Sequence, residues 1–248
     1  MTTEQPLFSI ITVCYNAEST IERTILSIAK QSFRNLEYII IDGKSTDSTL
    51  SIKKKYETDI TIFVSEKDTG LYHAMNKGIK LATGKYLCFL NAGDKFHSDN
   101  TLELIAQQIM SLHYFPDVIY GETAIVNNNG RFLRMRRLSA PNQLNWKSFK
   151  KGMLVCHQAF MPKREIAPLY EQSYQYSSDF DWCIKILKIA NHTYNTKLIT
   201  IDYLNEGLTT SNHKKSLLER FYIMTNHYGF ISTIIYHLWF ILRSLFKK

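Results

Sequence analysis

The feature that most limits this chain is a near-continuous apolar run that recurs between stretches of helical period. Residues 8–14 (FSIITVC), 37–41 (EYIII) and 86–90 (YLCFL) are rich in β-branched and aromatic side chains and show no clean polar alternation. Strands of that kind leave no face for water and must be covered on both sides. Between them, Ile21, Ile25 and Ile28, and then Leu71, Ala74/Met75, Gly78/Ile79 and Ala82, fall on one face at a period near 3.6. Strand and helix alternating at this spacing predict an α/β fold with a Rossmann-like, mostly parallel sheet flanked by helices.

The densest stretch is 65–94, SEKDTGLYHAMNKGIKLATGKYLCFLNAGD. It reads as strand end, loop, helix from Leu71 to about Ala82, a stop at Thr83-Gly84, a buried strand and an acidic loop. Open α/β sheets bind ligands at the carboxyl ends of their strands. Asn91-Ala92-Gly93-Asp94 falls there, with small residues and one carboxylate. The same four residues also make an ordinary turn, and both readings stand at this point.

The remainder supplies further elements. A helix starts at Asp47 or an adjacent Ser/Thr cap and runs to about Tyr56, before a third strand at 61–65. A helix near 100–110 precedes a strand at 117–121. Segments 123–126 and 131–135 flank Asn127-Asn128-Asn129-Gly130, a hairpin signal. After an irregular stretch, a strand is expected at 156–161, a helix at 180–190, an extended segment at 198–203, a polar loop at 205–212 and a helix at 214–228. The boundaries expected are one sizeable domain over 1–213 and an appended C-terminal helical tail over 214–248.

The net charge of +8 suits nucleic acid, an anionic membrane surface or a phosphorylated small substrate. A basic recognition helix or aromatic–basic interleaving is absent from the sequence, so nucleic acid is not an expected partner. Cys14, Cys88, Cys156 and Cys183 have no CxxC spacing, and the N-terminal MTTEQPLFSI lacks a basic region followed by an apolar one. Both fit a reducing cytosol. Carboxylates follow successive strands: Glu18, then Asp42 and Asp47, then Asp94. Together they suggest an oxygen-rich site for Mg²⁺ or Mn²⁺ with a diphosphate. Each alone reads equally as a helix cap.

FSIITVCYNAESTIERTILSI, EYIIIDGKSTDST, DTGLYHAMNKGIKLATGKYLCFLNAGD and SSDFDWCIKIL stand in the order and spacing of the inverting family-2 glycosyltransferases. The chain resembles that family over roughly residues 7–213. It looks most like the branch that extends bacterial surface polysaccharides of the colanic acid, capsule and O-antigen kind. The resemblance implies the A-type glycosyltransferase fold, with a nucleotide-sugar half over about 1–115 and an acceptor half over 116–213. It implies transfer from a nucleotide sugar, expected to be UDP-linked, to a hydroxyl of a glycan or polyprenyl-diphosphate-linked acceptor.

Residue by residue, the resemblance places Thr12, Tyr15, Asn16 and Glu18 toward the nucleotide, with Asp42, Ser45, Asp68 and Asn76. Gly43 stands where the family's Asp-Asp-Gly-Ser block has its second aspartate. Asn91, Ala92, Gly93 and Asp94 stand where it has Asp-x-Asp-Asp, so Asp94 is the implied ligand of a divalent Mn or Mg ion and the other three border the donor. Asp179 matches the catalytic base, with Asp181 two residues on as its alternate; helix capping accounts for both equally simply. His157, Gln158 and His213 are implied to meet acceptor or diphosphate. Arg131, Arg134, Arg136 and Arg137 read as meeting the phosphates of a lipid diphosphate acceptor or an acidic lipid surface, with a solvated hairpin face as the default reading.

The tail, with Ile231, Ile234/Ile235, Leu238, Ile241/Leu242 and Leu245, carries a helical apolar stripe interrupted by Ser232, Thr233, His237, Arg243 and Ser244. It suits a helix lying on the anionic inner face of the cell membrane, making the protein cytoplasmic and peripheral. Packing on the enzyme or in a dimer is the other reading. A non-catalytic sugar-nucleotide or glycan-binding subunit of a membrane synthase is the functional alternative.

Overall fold

A computed structural model describes residues 5–205 and 213–245. Its first sheet holds β1 (Phe8–Cys14), β2 (Leu36–Asp42), β3 (Ile62–Ser65) and β4 (Tyr86–Phe89), in the order β3-β2-β1-β4, all parallel. Between them run α1 (Ile21–Ala29), α2 (Thr49–Lys54) and α3 (Leu71–Leu81). Every residue of β1 and β4 is buried, as their unbroken apolar sequences require. This covered sheet buries two carboxylates, Glu37 and Asp42, both on β2. Glu37 accepts from Ser9 Oγ and from the backbone N–H groups of Thr83 and Gly84, so it fixes the turn that ends α3 against β1 and β2.

The second sheet contains β5 (Lys95–Phe96), β6 (Val118–Val126), β7 (Phe132–Met135), β8 (Phe160–Pro162) and β9 (Thr193–Leu204). Its order is β5-β9-β6-β7, with β8 also paired to β6. β6 and β9 are parallel and the other pairs antiparallel. An antiparallel bridge between Tyr86 and Lys163 links the two sheets. α4 (Thr101–Met110) and α5 (Ser178–Ile189) complete this part, followed by α6 (His213–Tyr228) and α7 (Phe230–Leu245).

Most expected elements are present, and the Asn127–Gly130 hairpin forms as read, with Asn127 Oδ1 accepting from the N–H groups of Asn129 and Arg131. Three expectations are corrected. Residues 156–161 are not one strand: His157–Ala159 is a single 3₁₀ turn, and only Phe160–Pro162 pairs. That turn carries His157 and Gln158 inward, where an extended segment would have sent them to opposite faces. α2 stops at Lys54, short of Tyr56, and a 3₁₀ turn at Glu57–Asp59 follows. The segments at 117–121 and 123–126 are one continuous strand, β6.

A buried aromatic group joins the two sheets. Phe89 of β4 lies 5.2 Å from the His157 ring and 5.7 Å from Trp182 of α5, and Tyr170 stacks on Trp182 at 4.7 Å. Offset and edge contacts of this kind are favourable beyond the area that they bury. They fix α5, and with it Asp179 and Asp181, relative to the carboxyl end of β4.

Candidate active site

A cavity of about 960 Å³ opens where β1, β2 and β4 end. Tyr15 and Asn16 line it from the first strand's loop, Gly43 and Lys44 from the second, and Asn91, Ala92 and Asp94 from the fourth. Asp68 and Tyr72 border it at the start of α3. The far wall brings His157, Gln158, Asp179 and Tyr203.

The first two loops are zipped together. Ser45 Oγ accepts from Asn16 N, Asn16 Oδ1 accepts from Thr46 N, and Thr49 Oγ1 accepts from Ala17 N. Asp47 Oδ2 accepts from Glu18 N, and Glu18 Oε2 from Ser48 N. Under this layer Asp42 is fully buried, accepting from Ser45 N, Ser45 Oγ and Ser65 Oγ. Several sequence-derived donor candidates are therefore placed away from the cavity wall. Asp42 and Ser45 shape the loop from beneath, and Glu18 braces it from outside. Thr12 donates to Leu90 O inside the sheet. Asn76 exchanges two hydrogen bonds with the backbone of Tyr170, latching α3 to the second half. Each has the polar chemistry expected of it, directed to the protein's own groups instead.

Tyr15 remains exposed, and a Cβ on Gly43 would lie 3.3 Å from its ring and 3.4 Å from Asp68 Oδ2. A side chain at 43 would crowd both groups, which gives the missing second aspartate a steric rationale. Asp68 pairs with Lys77 at 2.7 Å and with His73 at 3.1 Å.

Asp94 is buried. Its Oδ1 accepts from Leu204 N at 2.9 Å and its Oδ2 from Gln158 Nε2 at 3.0 Å. Burial pushes its pKa up to about 7, against those two bonds and the nearby Arg23, which pull it down. Beside it, Asn91 Oδ1 is buried without a partner among the described residues. Gly93 between them has φ +104°, and a Cβ there would meet Leu204 Cδ2 at 2.9 Å. No group of three or more His, Cys, Asp and Glu able to hold a metal occurs among the described residues. An orphaned amide oxygen next to one carboxylate still fits a hard cation whose remaining ligands are phosphate oxygens and water.

The two aspartates of α5 separate. Asp179 faces the cavity; its Oδ1 accepts from Tyr72 Oη at 3.3 Å and from Phe180 N at 2.9 Å. Its Oδ2 has no partner among the described residues. Asp181 does not line the cavity. It is buried between His227 Nε2 and Lys185 Nζ, each at 2.7 Å. Burial alone would raise its pKa, but these two partners outweigh that and hold it below the ordinary carboxylate value. Asp181, the alternate to Asp179 in the sequence reading, is thus placed away from the cavity: a helix turns about 100° per residue, so position 181 faces α6 when 179 faces the cavity.

His157 is buried, stacked on Phe89 and bonded through Nε2 to Tyr170 Oη. Burial lowers its pKa to about 4, although Asp179 nearby acts in the other direction. It is a neutral group of the wall. The side chain of His213, at the first position of α6, lies outside what is described.

The matched family is Glycosyl transferase family 2, over residues 9–167. This chain belongs to glycosyltransferase family 2. As a member of it the enzyme is an inverting glycosyltransferase. It is 30% identical over 224 residues to the PGL/p-HBAD biosynthesis glycosyltransferase of Mycobacterium bovis, covering 87% of this chain and 84% of that protein. It is 29% identical over 217 residues to WfgD of Escherichia coli, a UDP-Glc:alpha-D-GlcNAc-diphosphoundecaprenol beta-1,3-glucosyltransferase, covering 85% and 82%. Its fold matches S. aureus TarS 1–349 in complex with UDP-GlcNAc with a TM-score of 0.71, at 20% identity, over 89% of this chain and 67% of that one.

Two arginines line the glycosyltransferase's cavity: Arg136, one of the hairpin arginines singled out in the sequence, and Arg220, which the sequence reading missed. Arg136 lines it while donating to the carbonyls of Leu138, Met153 and Leu154. Arg220 of α6 also lines it, its guanidinium 5.8 Å from the Phe180 ring and its buried Nε without a partner among the described residues. No local signal marks Arg220. It reaches the cavity because Glu219 caps the N–H groups of Gln175 and Tyr176, and Ser216 bonds Ser177, which clamps α6 onto the start of α5.

Proposed function

We propose that this enzyme moves a sugar from a UDP-linked donor to a hydroxyl of a glycan carried on a lipid diphosphate, at the inner face of a bacterial membrane, in surface-polysaccharide synthesis. The observation that carries the reading is Asp179. It is the carboxylate of α5 that faces the cavity, with one oxygen held by Tyr72 and Phe180 N and the other turned free. That arrangement suits a general base, which takes the proton of the acceptor hydroxyl as its oxygen attacks the anomeric carbon. Attack on the face opposite the leaving diphosphate gives inversion without a covalent enzyme intermediate.

The donor's nucleotide would sit over the zipped loops, against Tyr15 and beside Asp68. Asn91 Oδ1 and Asp94 are the residues that would hold Mn²⁺ or Mg²⁺, which when bound with the donor supplies positive charge to the departing diphosphate. Arg220 and Arg136 add fixed positive charge on the opposite wall. WfgD, by its name, uses a UDP-sugar and a diphosphoundecaprenol acceptor, and this supports the same substrate classes here.

The test is calorimetric titration of UDP, GDP, CDP and dTDP, each with Mn²⁺ and with EDTA. Binding of UDP that is lost with EDTA is the expected result. Selective binding of another nucleotide would replace the donor class, and equal binding in EDTA would remove the cation from donor recognition.

A further inference from the structure

Two acid-free stretches of the chain meet on one surface. Between Glu122 and Glu165 the sequence has no Asp or Glu but carries Arg131, Arg134, Arg136, Arg137, Lys147, Lys150 and Lys151, among others. After Glu219 there is again no acid to the C-terminus. In the structure these stretches are packed together. Lys150 Nζ lies 5.4 Å from the Tyr228 ring and 6.0 Å from that of Tyr236 on α7. Burial, then the neighbouring guanidiniums of Arg243, Arg136 and Arg134, lower the pKa of Arg137, so α7 and β7 bring their arginines close. Like charges gathered in this way favour an anion brought close to them.

Apolar side chains stand out from the same two elements. Ile231 is 75% exposed, and Leu238 and Trp239 of α7 are about half exposed. All four residues of β7 are exposed, with Phe132 at 55% and Leu133 at 47%. Among the described residues no helix is long and apolar enough to cross a membrane. Exposed aromatic and aliphatic groups around a cationic cluster are the composition of a surface that enters the headgroup layer.

We propose that the β6–β7 hairpin and α7 form a single two-armed docking surface for an anionic phospholipid bilayer. The inference rests on the reading of a membrane-bound acceptor and adds the hairpin as the second arm. The geometry supplies a reason for two arms. β7 runs out from Arg136 at the cavity rim, so seating it on lipid brings the acceptor wall to the membrane. A tail alone would tether the enzyme without orienting it.

The experiment is co-sedimentation of the full chain with vesicles of phosphatidylcholine, with and without phosphatidylglycerol, at low and high salt. Tighter binding to the anionic vesicles, by at least about tenfold and weakened by salt, is expected. The double variant Arg134→Glu/Arg137→Glu, with α7 intact, should lose at least about tenfold of that affinity. Unchanged melting temperature and Mn²⁺-dependent UDP binding show that it is folded. Wild-type vesicle binding by this variant would overturn the two-armed surface. So would indifference to lipid charge, or a stable dimer in sedimentation equilibrium that ignores vesicles, which would assign the face to a second copy. Loss of nucleotide binding in the wild type, with vesicle binding kept, would count against the proposed function alone.

Discussion

The two walls of the cavity use their charged residues in opposite ways. On the wall built from the parallel sheet, Glu18, Asp42 and Asp47 accept hydrogen bonds from the loops that carry them. What is left to face a ligand there is backbone, the Tyr15 ring, Lys44 and the Asp68 cluster. On the wall built by α5 and α6, Asp179 and Arg220 line the cavity, and the buried Arg220 Nε has no hydrogen-bond partner among the described residues. The first wall is a rigid shape and the second carries reactive groups. A carboxylate at the end of a strand is therefore not by itself a ligand; its hydrogen-bond inventory decides.

The sharpest way to break that contrast is within α5. Asp179→Asn keeps size and polarity but cannot take a proton, so kcat should fall by about a thousandfold, within the usual range for a lost general base. UDP affinity should stay within a few fold. Asp181→Ala should do the reverse. It removes the anchor of His227 and Lys185, costs roughly 2 kcal/mol in urea unfolding, and leaves kcat within a few fold. If Asp181→Ala proves the dead enzyme and Asp179→Asn the stable active one, the assignment is inverted.

A second test concerns Asp42. Its loss would leave Ser45 N, Ser45 Oγ and Ser65 Oγ without an acceptor in a fully buried place. Asp42→Ala should destabilise the fold by roughly 3 kcal/mol, since several buried donors go unsatisfied at once. Urea denaturation measures it. A variant with wild-type stability and a large loss in UDP affinity would return Asp42 to the binding wall.

This contrast also marks how far the sequence could be read. β1, β2 and β4 were legible because an unbroken apolar run has one stable environment, and the hairpin because Asn-Gly selects its turn. The motif spacing pointed to Asp179 and Asp94. It ranked Asp179 before Asp181 through the resemblance alone, because helix capping accounts for both and their placement depends on where α6 packs. Arg220 was invisible for the same reason: its position follows from Glu219 and Ser216 gripping the segment before α5, a contact between parts of the chain some forty residues apart. The 3₁₀ turn at His157 was mistaken for strand because its apolar neighbours are buried on every side, and burial alone does not distinguish the two.

Asp94 offers the smallest effect and the finest distinction, because it lies at the seam of the two walls. Its pKa is raised to about 7, chiefly by burial. In the unfolded chain the group ionises near the ordinary value of 3.8. Between those values the folded state holds the extra proton, so its contribution to stability falls as pH rises through the window. A divalent ion needs the ionised form and competes with that proton. Mn²⁺-dependent UDP affinity should therefore climb about tenfold per pH unit up to about pH 7 and level off above it. UDP's own terminal phosphate titrates near pH 6, so the Asp94→Asn variant is the control that isolates the protein's share. If the slope survives in that variant, the cation is held by the nucleotide and Asn91 without Asp94. If the slope disappears with the carboxylate, Asp94 ionises in order to bind, and the buried acid at the seam exchanges part of its hydrogen bonding to Leu204 N and Gln158 Nε2 for the cation.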